Sequence, residues 1–350
     1  MISRGTMISR NTLSVTATAL AAALMLSGCA AGEGAAAAAP AAGGQGSSKA
    51  WSAKVLNIDY ATYNPLSLVI KDQGWLEKTL GKGVTVNWVK SAGSNKANEA
   101  LRAGAIDVGS TAGSAALLAR ANGSPITAID VFSQPEWAAI LVSKNSPITS
   151  VSQLTGKSVA ATKGTDPYFF LLQALQGAGV PVAKVEVQNL QHADGKAALE
   201  GGSVDAWVGL DPLMAASEST AGSKLLYRNI NFNTYGLLDA TDTFLAKSPD
   251  IAQVVVNTYE KARAWALKNP EKTVTILAKE AGIDPAVARK VILERTNLAI
   301  DPAPGEAQRK VLKVVGPFFV ESGDVPNQSA VDDALKSLLE AKYVKAADPR

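Results

Sequence analysis

Asn64-Pro65, Asp166-Pro167 and Asp211-Pro212 each follow a short apolar run, and a fourth run leads into Thr111-Ala112-Gly113-Ser114. Asn and Asp cap helix N-termini through their side-chain oxygens, and proline suits the first helical position, where an N–H would have no partner. Unpaired N–H groups and the positive end of the helix dipole make such starts natural seats for an anion. One of them alone is simple capping. Four in succession, each after an apolar run, point to a shared cleft. Other chemistry is scarce: His192 is the single histidine and Cys29 the single cysteine, too few for a zinc site or a thiol–imidazole pair. No catalytic residues, metal or cofactor are expected.

Aromatic residues gather at the same places. Tyr60 and Tyr63 precede the first start, Trp137 follows Gln134-Pro135-Glu136, Tyr168 to Phe170 follow Pro167, and Trp207 lies just ahead of Asp211. Ligand pockets are mostly apolar with a few placed polar groups. Trp137 and Trp207 fit either a cleft wall or the core, whereas Phe169 and Phe170 are expected in the core.

The elements that must position these residues alternate. Val55–Tyr60, Val84–Val89, Ile106–Ser110 and Ile126–Phe132 read as strands, with helices over 65–80, 94–103 and 112–121. Ser158–Ala161, Val185–Asn189 and Val204–Val208 continue the pattern, with helices over 167–177 and 192–200. Such alternation predicts an α/β fold with mainly parallel sheets, whose ligands bind beyond the carboxyl ends of the strands. From Pro249 the reading is helical, over 249–268, 271–281, 285–294, 304–321 and 328–342. An internal echo divides the first part: Ala100-Leu101-Arg102-Ala103-Gly104-Ala105-Ile106-Asp107-Val108 returns as Ala198-Leu199-Glu200-Gly201-Gly202-Ser203-Val204-Asp205-Ala206. A helix-to-strand turn needing glycine explains either copy; the pair suggests two lobes of one topology.

The N-terminal region reads differently. Arg4 and Arg10 precede an apolar stretch from Leu13 to Leu26, short of the roughly 20 residues a spanning helix needs, as in a secretory signal peptide. The doubled Met-Ile-Ser-Arg leaves Met1 and Met7 as alternative starts. Leu26-Ser27-Gly28-Cys29 resembles a bacterial lipobox, which implies a signal peptide over 1–28 and diacylglycerol on Cys29. Residues 30–50 are almost all Ala, Gly, Ser and Gln, a composition expected of a flexible tether from anchor to body. Across the whole chain 34 Lys and Arg face 31 Asp and Glu, which is no nucleic-acid footprint.

Several of these segments carry a family resemblance. Gly202-Ser203-Val204-Asp205-Ala206-Trp207-Val208 with Asp211-Pro212 is similar to the second-lobe signature of the aliphatic-sulfonate, taurine and nitrate binding proteins. Leu141-Val142, Ser146-Pro147-Ile148 and Leu154-Thr155-Gly156-Lys157-Ser158-Val159-Ala160 resemble that family's entry into the second lobe, and Lys163-Gly164-Thr165 its Lys-Gly-Ser turn. The resemblance spans about 55–345. It implies a type II periplasmic-binding fold, with lobe one over 51–142 plus 238–350, lobe two over 143–237, and two crossovers. It also implies an extracytoplasmic monomer that closes on a small ligand and delivers it to an ABC permease and its ATPase.

Carried over by position, the implied ligand contacts are Tyr63, Asn64, Thr111, Gly113, Gln134, Glu136, Trp137, Thr165, Asp166, Tyr168, Trp207 and Asp211. Asp166 departs from the pattern, because a carboxylate there competes with an anionic ligand for the same donors. No arginine lies in the four loops to clamp an oxyanion. A sulfonate would therefore rest on Thr111 and helix N–H groups, with Asp166, Asp211 and Glu136 facing a cationic or donor-rich end. Nitrate and bicarbonate remain alternatives, as does a thiamine-pyrimidine binding protein or enzyme of the same fold. That enzyme's chemistry would consume cysteine and histidine, neither of which the reading places at a cleft loop. A regulator would need a helix-turn-helix module where the signal peptide lies. A lobe serving a membrane sensor is a further alternative.

Overall fold

A computed structural model describes residues 50–350; the expected signal peptide, Cys29 and all of the tether but Ala50 lie outside the described residues. The chain runs β1 (Val55–Tyr60), α1 (Pro65–Gln73), α2 (Trp75–Leu80), β2 (Thr85–Lys90), α3 (Ser94–Arg102), β3 (Val108–Ala112), α4 (Gly113–Ala121) and β4 (Ile126–Pro135). It continues with β5 (Ala138–Val142), β6 (Ser158–Ala160), α5 (Asp166–Gly177), β7 (Glu186–Gln188), α6 (His192–Glu200), β8 (Ala206–Leu210), α7 (Leu213–Thr220) and β9 (Lys224–Tyr227). Then come β10 (Gly236–Thr241), α8 (Asp242–Lys247), α9 (Pro249–Lys268), α10 (Pro270–Ala281), α11 (Pro285–Arg289), β11 (Thr296–Asn297), α12 (Glu306–Glu321), α13 (Gln328–Ser337) and α14 (Lys342–Lys345).

Two mixed sheets make two lobes, in strand orders β11-β4-β10-β3-β1-β2 and β7-β6-β8-β5-β9. The expected parallel pairs form: β1 with β2 and β3, and β6 with β7 and β8. The other five pairings are antiparallel, β10 with β3 and β4, β5 with β8 and β9, and β11 with β4, so the sheets are mixed and not mainly parallel as expected. β5 also corrects the expected lobe boundary. It pairs with β8 and β9, so the chain leaves the first sheet between Pro135 and Ala138, and returns between Tyr227 and Gly236.

Local chemistry sets the elements. Asn64 accepts from the Ser67 N–H and Pro65 opens α1. The helix expected over 65–80 breaks at Gly74, whose φ of 60° ends one helix in the left-handed region and starts the next. The sequence echo does the same work twice. Gly104 and Gly202 turn with φ of 68° and 74°, after which Asp107 takes the Asn57 N–H at 2.8 Å and Asp205 the Ser158 N–H at 2.9 Å. Each aspartate thereby ties the strand it precedes, β3 or β8, to its parallel neighbour, β1 or β6.

Candidate functional site

Around the start of α5 the seam between the lobes leaves only a cavity of ≈ 10 Å³, lined by Tyr63, Ser94, Ala112, Trp137, Thr165, Asp166, Pro167 and Leu210. That is room for about one water. Its polar centre is the Asp166 carboxylate, at the first position of α5. Oδ1 accepts from the hydroxyls of Ser114 and Thr234, the latter at 2.6 Å. Oδ2 accepts from the Trp137 indole at 2.8 Å and the Thr234 N–H at 2.7 Å. Ser114 belongs to α4, Thr234 to the returning crossover and Trp137 to the outgoing one. Burial pushes the carboxyl above its ordinary range, against the pull of these hydrogen bonds. All the donors are neutral, so the charge is met by hydrogen bonds alone.

Around this centre the expected residues divide. Tyr63 donates to the Ser110 carbonyl at 2.9 Å and sets its ring edge-on to Trp137, 6.1 Å between centroids. Thr165 lines the cavity but donates to the Thr162 carbonyl at 2.6 Å. The structure thus brings Tyr63, Trp137, Thr165 and Asp166 together. It places the others elsewhere. Asn64 is buried against Ser110 and Tyr259. The Thr111 hydroxyl donates at 2.5 Å to Asp239, and the Gly113 N–H to the Tyr235 carbonyl at 2.8 Å. Neither is left for an oxyanion, contrary to expectation. Gln134 lies in β4 opposite Asn297 of β11. Glu136 pairs through both oxygens with Arg228. Tyr168 turns to a separate apolar cavity beside Phe318 and Val180.

Trp207 is core. It packs with Leu141, Leu199, Val204 and Met214, and a Cβ on Gly195 would come within 2.7 Å of its indole. Asp211 faces Arg295 at 3.3 Å and accepts from the Ala215 N–H at 2.9 Å. Burial outweighs that arginine and pushes its carboxyl up to about 6. Arg295 also reaches Glu218 at 2.6 Å, so the arginine missing from the loops arrives from just before β11 and closes a second junction. His192, expected away from the cleft, sits close to the seam. Nδ1 meets the Thr162 hydroxyl at 3.1 Å, and Nε2 would lie 2.8 Å from a Cβ on Gly93. Burial lowers its pKa to about 4, leaving a neutral ring. Among the described residues, no group of three or more His, Cys, Asp or Glu is placed to hold a metal.

The family described as NMT1/THI5 like matches residues 66–273. The chain belongs to that family. The aliphatic sulfonates-binding protein of Escherichia coli K12 is 30% identical over 279 residues, covering 79% of this chain and 87% of the relative. The crystal structure of the E. coli periplasmic aliphatic sulphonate binding protein SsuA superposes with a TM-score of 0.69 at 28% identity, over 83% of this chain and 95% of that one. The alkanesulfonate-binding protein SsuA of Xanthomonas axonopodis pv. citri, bound to MOPS, gives 0.72 at 24% identity, over 81% and 98%. The two-lobed fold of periplasmic binding proteins is therefore that of this NMT1/THI5-like chain. A desulfurization enzyme at 13% identity and a TM-score of 0.61, covering 84% of this chain and 98% of its own, shares the fold alone.

Ser94, Thr234 and Arg295 were not singled out from the sequence. Ser94 takes the Ala112 N–H at 2.9 Å, in the cavity wall. Thr234 and Arg295 lie in segments without apolar periodicity, and their partners are 68 and 84 residues away. Only the fold brings them in.

Proposed function

We propose that this NMT1/THI5-like protein is the substrate-binding lipoprotein of an ABC importer and takes a small organic oxyanion, an aliphatic sulfonate or taurine. The observation that carries this reading is the set of neutral donors from Ser114, Thr234 and Trp137 converging on one point of the closed seam, in a chain whose relatives bind sulfonates. Such donors stabilise a charge spread over several oxygens without requiring a cation. Aromatic walls from Tyr63 and Trp137 suit a short alkyl stem. The ligand binds one lobe of an open form, and closure follows because the second lobe adds contacts available only when shut. Catalysis plays no part in this reading.

A thermal-shift panel of alkanesulfonates, taurine, nitrate, bicarbonate, amino acids and pyrimidines tests it. A ligand at a hundredfold excess over its dissociation constant adds about 2.7 kcal/mol of stability. Shifts confined to sulfonates and taurine are expected; a shift with a pyrimidine alone would overturn the oxyanion reading. The anchor is a separate proposal, in which Cys29 carries the lipid and holds the body outside the cytoplasm. Cys29→Ser should move the protein from the membrane to the soluble fraction, and unmodified wild-type protein with residues upstream of Cys29 intact would refute it.

A further inference from the structure

Asp166 is the one anion already seated among the converging donors. Each of its oxygens accepts two hydrogen bonds, from Ser114 and Thr234 on one side and from Trp137 and Thr234 on the other. Two of the four bonds can run only toward Asp166, and a third is free to. The Thr234 hydroxyl accepts the Ser114 N–H at 3.1 Å, so its proton is free to point at Asp166, and the indole and the backbone N–H can only donate. The residue is 1% exposed and the space left beside it is ≈ 10 Å³. A second oxyanion therefore has neither unclaimed donors nor room while the carboxylate stays.

We propose that Asp166 is a tethered resident anion, which an incoming oxyanion must displace from the Ser114–Thr234–Trp137 donors, and whose released carboxylate then selects ligands that carry a cationic group beside the oxyanion. The inference rests on the oxyanion reading for the identity of the natural ligand, but the exchange at the donors can be probed separately. A plain alkanesulfonate displaces Asp166 and leaves its carboxylate without a partner near a second negative charge. An aminosulfonate displaces it and supplies an ammonium to pair with it, so the exchange costs less. The favoured class is thus a zwitterion with the cation a short stem away from the oxyanion.

The test measures affinities of the full chain by calorimetry, for wild type and for Asp166→Asn and Asp166→Ser, with inorganic sulfate, ethanesulfonate and taurine as probes. Asp166→Asn keeps the side-chain shape. Asp166→Ser is smaller and provides a second folded variant should the first fail, with circular dichroism establishing the native fold of each. Both variants should bind sulfate and ethanesulfonate at least about tenfold more tightly than wild type, the scale of one charge-assisted hydrogen bond. Wild type should prefer taurine to ethanesulfonate, and the variants should lose that preference. Sulfate affinity unchanged or weakened in natively folded variants overturns the proposal, whatever the organic panel shows. Tighter sulfate binding by the variants, in a protein that ignores every organic sulfonate, would uphold the resident anion and overturn the sulfonate reading alone.

Discussion

Asp166 and Asp211 occupy matching places in the second lobe, each followed by proline and each at a turn from strand to helix, yet they cross the seam by different means. Asp166 meets only neutral donors. Asp211 meets Arg295, which also holds Glu218. Both carboxyls are buried and both are pushed upward by that burial. The difference teaches what each junction can exchange. Neutral donors around Asp166 can be handed to another anion of similar shape. The Arg295 junction cannot release Asp211 without leaving charges uncompensated in a dry place, so it behaves as a fixed fastening.

The largest effect that would sharpen this contrast comes from Arg295→Met, which leaves the buried Asp211 without its cation while Glu218 keeps Lys290 at 3.1 Å. Breaking a buried pair by removing one partner costs about 3–5 kcal/mol, read as a drop in unfolding free energy in urea. Sulfate and taurine affinity should stay within about twofold, and a larger change would place Arg295 in the binding site and dissolve the distinction. A smaller effect is expected from pH. The folded-state pKa of Asp211, about 6, lies above its ordinary 3.8, so the folded chain holds a proton that the unfolded chain has lost. The contribution of Asp211 to stability is then fully present below about pH 4 and is lost as pH rises through about 6, roughly 3 kcal/mol over the window. Asp211→Asn should remove that part of the slope in urea titrations between these pH values. An unchanged slope would mean that Arg295 keeps Asp211 ionised throughout.

Much of the scaffold was legible because it rests on local signals. β1 and α9 fall where the apolar runs and Pro249 placed them, and the glycine-to-aspartate echo proved to be one joint built twice. β5 was not legible, since Ala138 to Val142 are buried on both faces and carry no period that separates strand from helix. The same ambiguity left Trp207 open between cleft wall and core: every residue of β8 is buried, so alternation could not say which face looks at the cleft. For the site, the dipeptides marked where helices begin but not what their carboxylates would meet. Asp166 was legible as an intruder in an anion site. Its donor Thr234 was not, because a residue in a crossover segment has no pattern to betray it.

The two crossovers carry a last consequence. Trp137 lies on the outgoing one and Thr234 on the returning one, so two of the three residues that grip Asp166 sit on the only covalent links between the sheets among the described residues. In the hinge closure proposed above, the grip would lie at the axle of the molecule and not at its rim. Close to an axle a small displacement corresponds to a large turn, so occupants differing by a fraction of an ångström in the spacing of their oxygens would set the lobes at measurably different angles. The shape of an anion would then be written into the outline of the whole protein, which a docking partner outside the seam could read without touching the ligand.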